Sequence, residues 1–114
     1  MANIYRNQKL SLTSTADTVL YTVPSNSRAI VKSLLVSEDT NTATTITVDL
    51  FDADPATGNK FNLFETQAVA GNETLQLLTE PLIMLENEVL QVTAADANTL
   101  HVVASILEIN REDR

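Results

Sequence analysis

The clearest periodicity in the chain lies between Thr44 and Phe51, where Ile46, Val48 and Leu50 alternate with Thr45, Thr47 and Asp49. Residues two apart point to one side of an extended backbone, so this segment predicts a strand with one wet face. Upstream, Asp17 to Val23 has the same character and stops at Pro24, whose missing N–H suits a strand end. Ser25-Asn26-Ser27 reads as a turn and Arg28 to Ser37 as a return strand, so the two segments are expected to pair as a hairpin. The polar link Asp39-Thr40-Asn41-Thr42 leads into the Thr44 strand. Asp54-Pro55-Ala56-Thr57-Gly58 reads as the turn beyond it, with Pro setting φ at the start and Gly available for φ > 0 near the end.

Lys60 to Val69 resumes the extended pattern, with Phe61, Leu63 and Glu65 on one side and Phe64 on the other. Gly71-Asn72 reads as a tight turn into a strand from Thr74 to Leu78. That stretch also carries a competing helical pattern, with Asn72 as cap, Leu75 and Leu78 at helical spacing and Pro81 as stop. Leu82 to Leu85, the turn Glu86-Asn87-Glu88 and Val89 to Thr93 read as a further hairpin, and Ala94 to Asn98 is a link with room for one helical turn. Leu100 to Ile109 has apolar residues on both faces, which suggests a central or doubly covered strand. The expectation is an all-β fold, a single antiparallel β-sandwich of about eight or nine strands. It takes 1–114 as one domain, with short polar terminal arms at about 1–8 and 110–114. Ile46, Val48 and Leu50 are expected in its core, facing Val31 to Leu35 and Val102 to Ile106.

Composition narrows the chemistry. The chain has 114 residues, 44% hydrophobic and only 19% charged, enough apolar material for one core. With no Cys and a single His, it excludes disulfide scaffolds, thiolate metal sites and most catalytic triads. His101 lies in the final strand without an advertised nucleophile, so a hydrogen-bonded structural role is expected for it. Asp52 and Asp54 with Gly58 have the look of a calcium loop, but Ala56 occupies the next ligand position and no Glu closes it; a turn explains the same residues. Glu86 and Glu88 read as a solvated turn rather than a catalytic pair. No catalytic residue, cofactor or metal is expected, and the protein is not read as an enzyme. No export signal is visible, and the Leu100–Ile109 run is far shorter than the roughly 20 residues a spanning helix needs, so no membrane partner is expected.

Charge adds one feature. The net charge is -8, which repels phosphate backbones and argues against nucleic acid as a partner. The basic residues are Arg6, Lys9, Arg28, Lys32, Lys60, Arg111 and Arg114, while Phe61 to Asn110 contains only acidic charges. Either this order is chance in an acidic chain, or the folded surface is polarised and docks through its less acidic side.

The run Thr18-Val19-Leu20-Tyr21-Thr22-Val23-Pro24, followed by Arg28-Ala29-Ile30-Val31-Lys32-Ser33-Leu34-Leu35-Val36, resembles the opening of small tailed-bacteriophage virion structural proteins. Glu80 to Glu86 followed by Val89 to Val92 is similar to their penultimate hairpin, and Ala104 to Ile109 to their last strand. The likeness covers about Thr18 to Ile109. It implies a jelly-roll-like sandwich serving as a capsid decoration (cement) protein, made in the host cytoplasm and located on the virion. The implied partners are the major capsid protein or another virion protein and further copies of the chain, with a trimer favoured. A tail, neck or fibre-attachment component is the alternative, and a small ligand- or glycan-binding module the alternative from another class. The candidate protein-interaction residues are Tyr5, Arg6, Lys9, Phe51, Phe64, Arg111 and Arg114, with the terminal arms ordering on contact.

Overall fold

Nine strands run through residues 2–110, the part of the chain that the computed structural model describes. They are β1 (Ala2–Leu12), β2 (Thr18–Thr22), β3 (Ser27–Glu38), β4 (Thr44–Phe51), β5 (Lys60–Val69), β6 (Thr74–Gln76), β7 (Leu82–Met84), β8 (Val89–Ala94) and β9 (Leu100–Asn110). Sheet A has the order β1-β9-β3, with β6 and β7 both on the far edge of β3; sheet B has the order β2-β8-β4-β5. All pairings are antiparallel. Among the described residues there is no helix, and the expected all-β sandwich is the observed architecture.

Most consecutive strands lie in opposite sheets, and β4–β5 is the hairpin formed by neighbours in sequence. That alternation is the winding of a jelly roll. It corrects two of the expected hairpins. β2 pairs with β8 while β3 pairs with β9, and β7 pairs with β3 while β8 pairs with β2 and β4. The Ser25-Asn26 and Glu86-Asn87-Glu88 corners therefore carry the chain between sheets. A tight polar turn looks the same in sequence whether it joins partners or bridges layers; burial of both strands' apolar sides decides which.

The core fills the space between the sheets with Val31, Leu34 and Val36 of β3, Ile46 and Val48 of β4, and Val102, Ala104 and Ile106 of β9. Leu50 is partly buried at the margin of that cluster. Leu35 departs from the expected inward run. A bulge at Lys32 shifts the β3 register, so that Val31 and Leu34 both face inward and Leu35 turns out. β9 is central, between β1 and β3, but only one of its faces is covered.

The expected polar arm at 1–8 is a strand. β1 ladders on β9 from Ala2↔Asn110 to Leu12↔Leu100. Its polar sequence suits an edge strand, which must resist further pairing. The competing helix over Asn72 to Glu80 does not form: β6 pairs Leu75 with Val36, and Gln76 Oε1 accepts from the Leu34 and Leu78 amides at 2.8 and 3.2 Å. The Ala94 to Asn98 link is a turn, pinned where the Asn98 amide donates to the Leu12 carbonyl at 2.9 Å.

Glycine does not supply the left-handed corners. Asn26, Asn41, Asn72, Asn87 and Asn98 have φ between 60° and 67°. Asn tolerates this region because its side chain is short and polar. Gly58, expected to provide φ > 0, does not adopt it; a Cβ there would stand 2.8 Å from the Ala53 nitrogen, so the residue is small because two backbones approach.

Candidate functional site

Two outer faces carry the candidate residues. On sheet A, the odd positions of β9 point away from the core, and the register lines them up with outward residues of β1 and β3. One cross-strand row runs Tyr5–Leu107–Ile30–Ile83 over four strands. Its ends are open to solvent, Tyr5 at 77% and Ile83 at 64% exposure. A second row places Val103 beside Leu35. Lys9, Arg28 and Lys32 stand exposed on the same side. The acidic residues in the strands of this sheet, Glu38 and Glu108, are both buried on its inner side.

The sequence-expected interaction residues divide accordingly. Tyr5 and Lys9 belong to the outer face of sheet A. Arg6 faces inward instead: its Nε lies 2.8 Å from Glu108 Oε2, and its Nη2 donates to Oε1 at 3.2 Å. Tyr21 Oη donates to Glu108 Oε2 at 2.5 Å, and burial, reinforced by this bond, pushes the phenol well above its ordinary range. The Arg6–Glu108–Tyr21 cluster thus ties β1 and β9 of sheet A to β2 of sheet B. Phe51 points outward on sheet B as expected but is only 7% exposed, so it is not an open docking residue. Phe64 packs partly buried against the core. Arg111 and Arg114 lie outside the described residues.

On the outer face of sheet B is a cleft of about 410 Å³, lined by Asp17, Thr47, Asp49, Phe51, Lys60, Glu65, Gln91 and Thr93. Asp49 and Gln91 are direct cross-strand partners on its floor, as are Thr47 and Thr93. Asn62 Nδ2 donates to Asp49 Oδ1 at 2.8 Å, and the Thr93 hydroxyl donates to Asp17 Oδ1 at 2.7 Å. One wall is set by a β5 irregularity, where Thr66 takes φ 44° and its amide donates to Thr47 Oγ1 at 3.1 Å. A β-branched residue at that φ is strained, and its neighbour Glu65 lines the cleft.

The remaining sequence candidates resolve into turns. Asp52 accepts from the Asn59 amide at 2.7 Å and from Asn59 Nδ2 at 3.1 Å, bonds that hold its carboxyl below the usual range. Asp54 Oδ1 accepts from the Ala56 amide at 2.9 Å. Among the described residues no group of three His, Asp or Glu is placed to hold a metal ion. Glu88 accepts from the Leu85 amide at 2.8 Å and Glu86 from the Asn26 amide at 2.5 Å. His101 Nδ1 lies 3.5 Å from an Asp39 carboxylate oxygen at the rim of sheet A. The described residues contain no helix long and apolar enough to cross a membrane.

Sequence reasoning passed over Glu108, Asp49 and Gln91 as individuals. Their signal was weak, because each shares its strand with other polar residues: Thr45 and Thr47 beside Asp49, Thr93 beside Gln91, and His101 and Ser105 beside Glu108. Nothing in the sequence says which partner it meets.

No family model and no curated protein matches the chain. Solved structures do. A chain of the Bacillus endospore appendages, disulfide-linked pili, is similar at 14% identity with a TM-score of 0.57, over 96% of this chain and 87% of that one. A chain of the T13 infectious bursal disease virus particle is similar at 9% identity and TM-score 0.56, over 96% of this chain and 31% of that one. A chain from the Gx strain of the same virus gives 7% identity and TM-score 0.55, over 97% of this chain and 34% of that one. The chain therefore spans about a third of the length of the two viral chains. At such identities the likeness establishes the fold.

Proposed function

We propose that this chain is a structural protein of a virion and that it acts as capsid decoration, a stable domain docked on a shell. The observation that carries this reading is the outer face of sheet A. An antiparallel sheet with one face in water ordinarily turns polar residues outward. Here Tyr5, Leu107, Ile30 and Ile83 form an apolar row, bordered by Lys9, Arg28 and Lys32. An apolar patch with a polar rim is the form of a surface that another protein covers. The fold lends support, because about a third of the chain from each of two infectious bursal disease virus particles has a similar sandwich. On this reading the partner is the major capsid protein or another virion protein. The chain works as a homo-oligomer, a trimer in the decoration arrangement, and no chemistry is asked of it.

A tail or neck component is the second reading, favoured by one observation: the similar pilus chain is matched over 87% of its length, so the two chains are of nearly one size. Quantitative mass spectrometry of purified particles tests both. Decoration expects a copy number of the order of the shell protein's, and a tail component only a few copies. Absence of the chain from purified particles overturns the virion reading altogether.

A further inference from the structure

The cleft on the outer face of sheet B has a floor that its own chain leaves incomplete. Asp49 and Gln91 are 4% and 7% exposed, and both open into it. Asn62 holds one Asp49 oxygen; the other Asp49 oxygen and the Gln91 amide have no protein partner among the described residues and meet solvent through the mouth of the cleft. A carboxylate as nearly buried as Asp49 ordinarily has a cationic partner, and here none is present among the described residues. Asp17 and Glu65 add two carboxylates to the walls, against the single ammonium of Lys60, which forms no ion pair among the described residues. A planar or tetrahedral cation that donates to Asp49 and to the Gln91 carbonyl oxygen would complete this floor.

We propose that the cleft receives a guanidinium or ammonium side chain from a second copy of this chain, presented by the outer face of that copy's sheet A. The complement is on the same molecule: Lys9, Arg28 and Lys32 stand exposed on a face whose strands turn no acid outward. Two copies meeting through sheet A would set cation against cation, and two meeting through sheet B carboxylate against carboxylate. Only sheet A on sheet B brings opposite charges together. The contact is heterologous, so it repeats from copy to copy and runs on as an open stack with one sheet A free at its end. The inference rests on the assembly reading above and adds the copy-to-copy faces: within a stack each sheet A is covered by the next copy's sheet B, and the sheet A left free at the end of the stack is the one that meets the shell.

Charge reversal at exposed positions tests it without touching the core. The face variant is Arg28→Glu with Lys32→Glu; the cleft variant is Asp17→Lys with Glu65→Lys. In sedimentation velocity at low salt, the wild-type mass is expected to rise with protein concentration and to fall when salt is added. Each variant alone should stay monomeric, and mixing the two should restore association. Asp49→Asn should weaken wild-type assembly about tenfold with an unchanged circular dichroism spectrum, and the Gln91 side-chain amide signal should shift on assembly in nuclear magnetic resonance. A wild-type chain that remains monomeric, or a cleft variant that associates like wild type, overturns the proposal. If the monomeric chain is nevertheless abundant on particles, only the stacking fails and decoration stands. If it assembles as described but is absent from particles, the virion reading fails and the stacking stands.

Discussion

Asn98 illustrates how single residues shape this chain's corners. It sits at φ 61° with its amide bonded to Leu12, and its side chain makes no hydrogen bond among the described residues. The energetic role of the residue is therefore its tolerance of the left-handed region. Asn98→Ala should cost about 1 kcal/mol in chemical denaturation, while Asn98→Gly should stay within a few tenths. Equal losses for both would show that the side chain itself matters. Thr66 is the opposite case, a β-branched residue at φ 44°. Thr66→Asn should raise stability by about 0.5–1 kcal/mol, because it relieves strain and leaves the Thr66 backbone amide free to bond Thr47. A loss of stability on denaturation would mean that the Thr66 methyl or hydroxyl contributes more than the strain costs.

At the scale of elements, two buried carboxylates hold strands to their neighbours. Glu38, at the end of β3, accepts from the amides of Thr40, Thr42 and Asn72 at 2.9, 3.2 and 2.9 Å, and from the Thr40 hydroxyl. Burial alone would raise its pKa, but these bonds outweigh it and hold the group at about 2 against an ordinary 4.5. A depressed folded-state value means stability that is present above pH 4.5 and lost as pH falls towards 2. Glu38→Gln should therefore be less stable than wild type at neutral pH, with the gap closing across that window in acid denaturation. A gap independent of pH would show that shape, not ionisation, is what the site requires. Glu108 does the corresponding work for β1. Removing its partner by Arg6→Met strands a carboxylate that is 3% exposed. The loss should be roughly 2 kcal/mol, below the usual cost of breaking a fully buried pair, because the guanidinium is 41% exposed. β1 amides should also exchange faster with solvent, the mark of an edge strand loosened from β9.

For the whole molecule, the distribution of charge matters more than its total. A net charge of -8 keeps copies apart at a distance, yet the basic residues of β1 and β3 gather on one sheet and the cleft acids on the other. The apolar row on sheet A has no core role, so Tyr5→Ser with Ile83→Lys should leave the unfolding free energy within about 0.5 kcal/mol of wild type. The same variant should lose binding to particles stripped of the wild-type chain. Retained binding with unchanged stability would place the docking surface elsewhere on the sandwich.

How much of this was legible follows from the range of the interactions involved. Period-two alternation in Thr44 to Phe51, the Thr-rich wet faces and the spacing of turns are local properties, and they determined the all-β class, the approximate strand count and the core role of Ile46 and Val48. Which strand lies beside which is not local. The corners at Asn26 and Asn87 would serve a hairpin as well as a bridge between sheets, and the contest was settled by the burial of residues far apart in sequence. The same reason hid the sites. Arg6 and Glu108 are separated by 102 positions and became partners only when β1 laddered on β9. Asp49 and Gln91 read as ordinary polar strand residues until β4 and β8 were paired. Phe51, outward by its pattern, was covered because the same face that it points to is folded into a cleft. Alternation decides which side of a strand a residue takes; only the packed sheets decide what stands on that side.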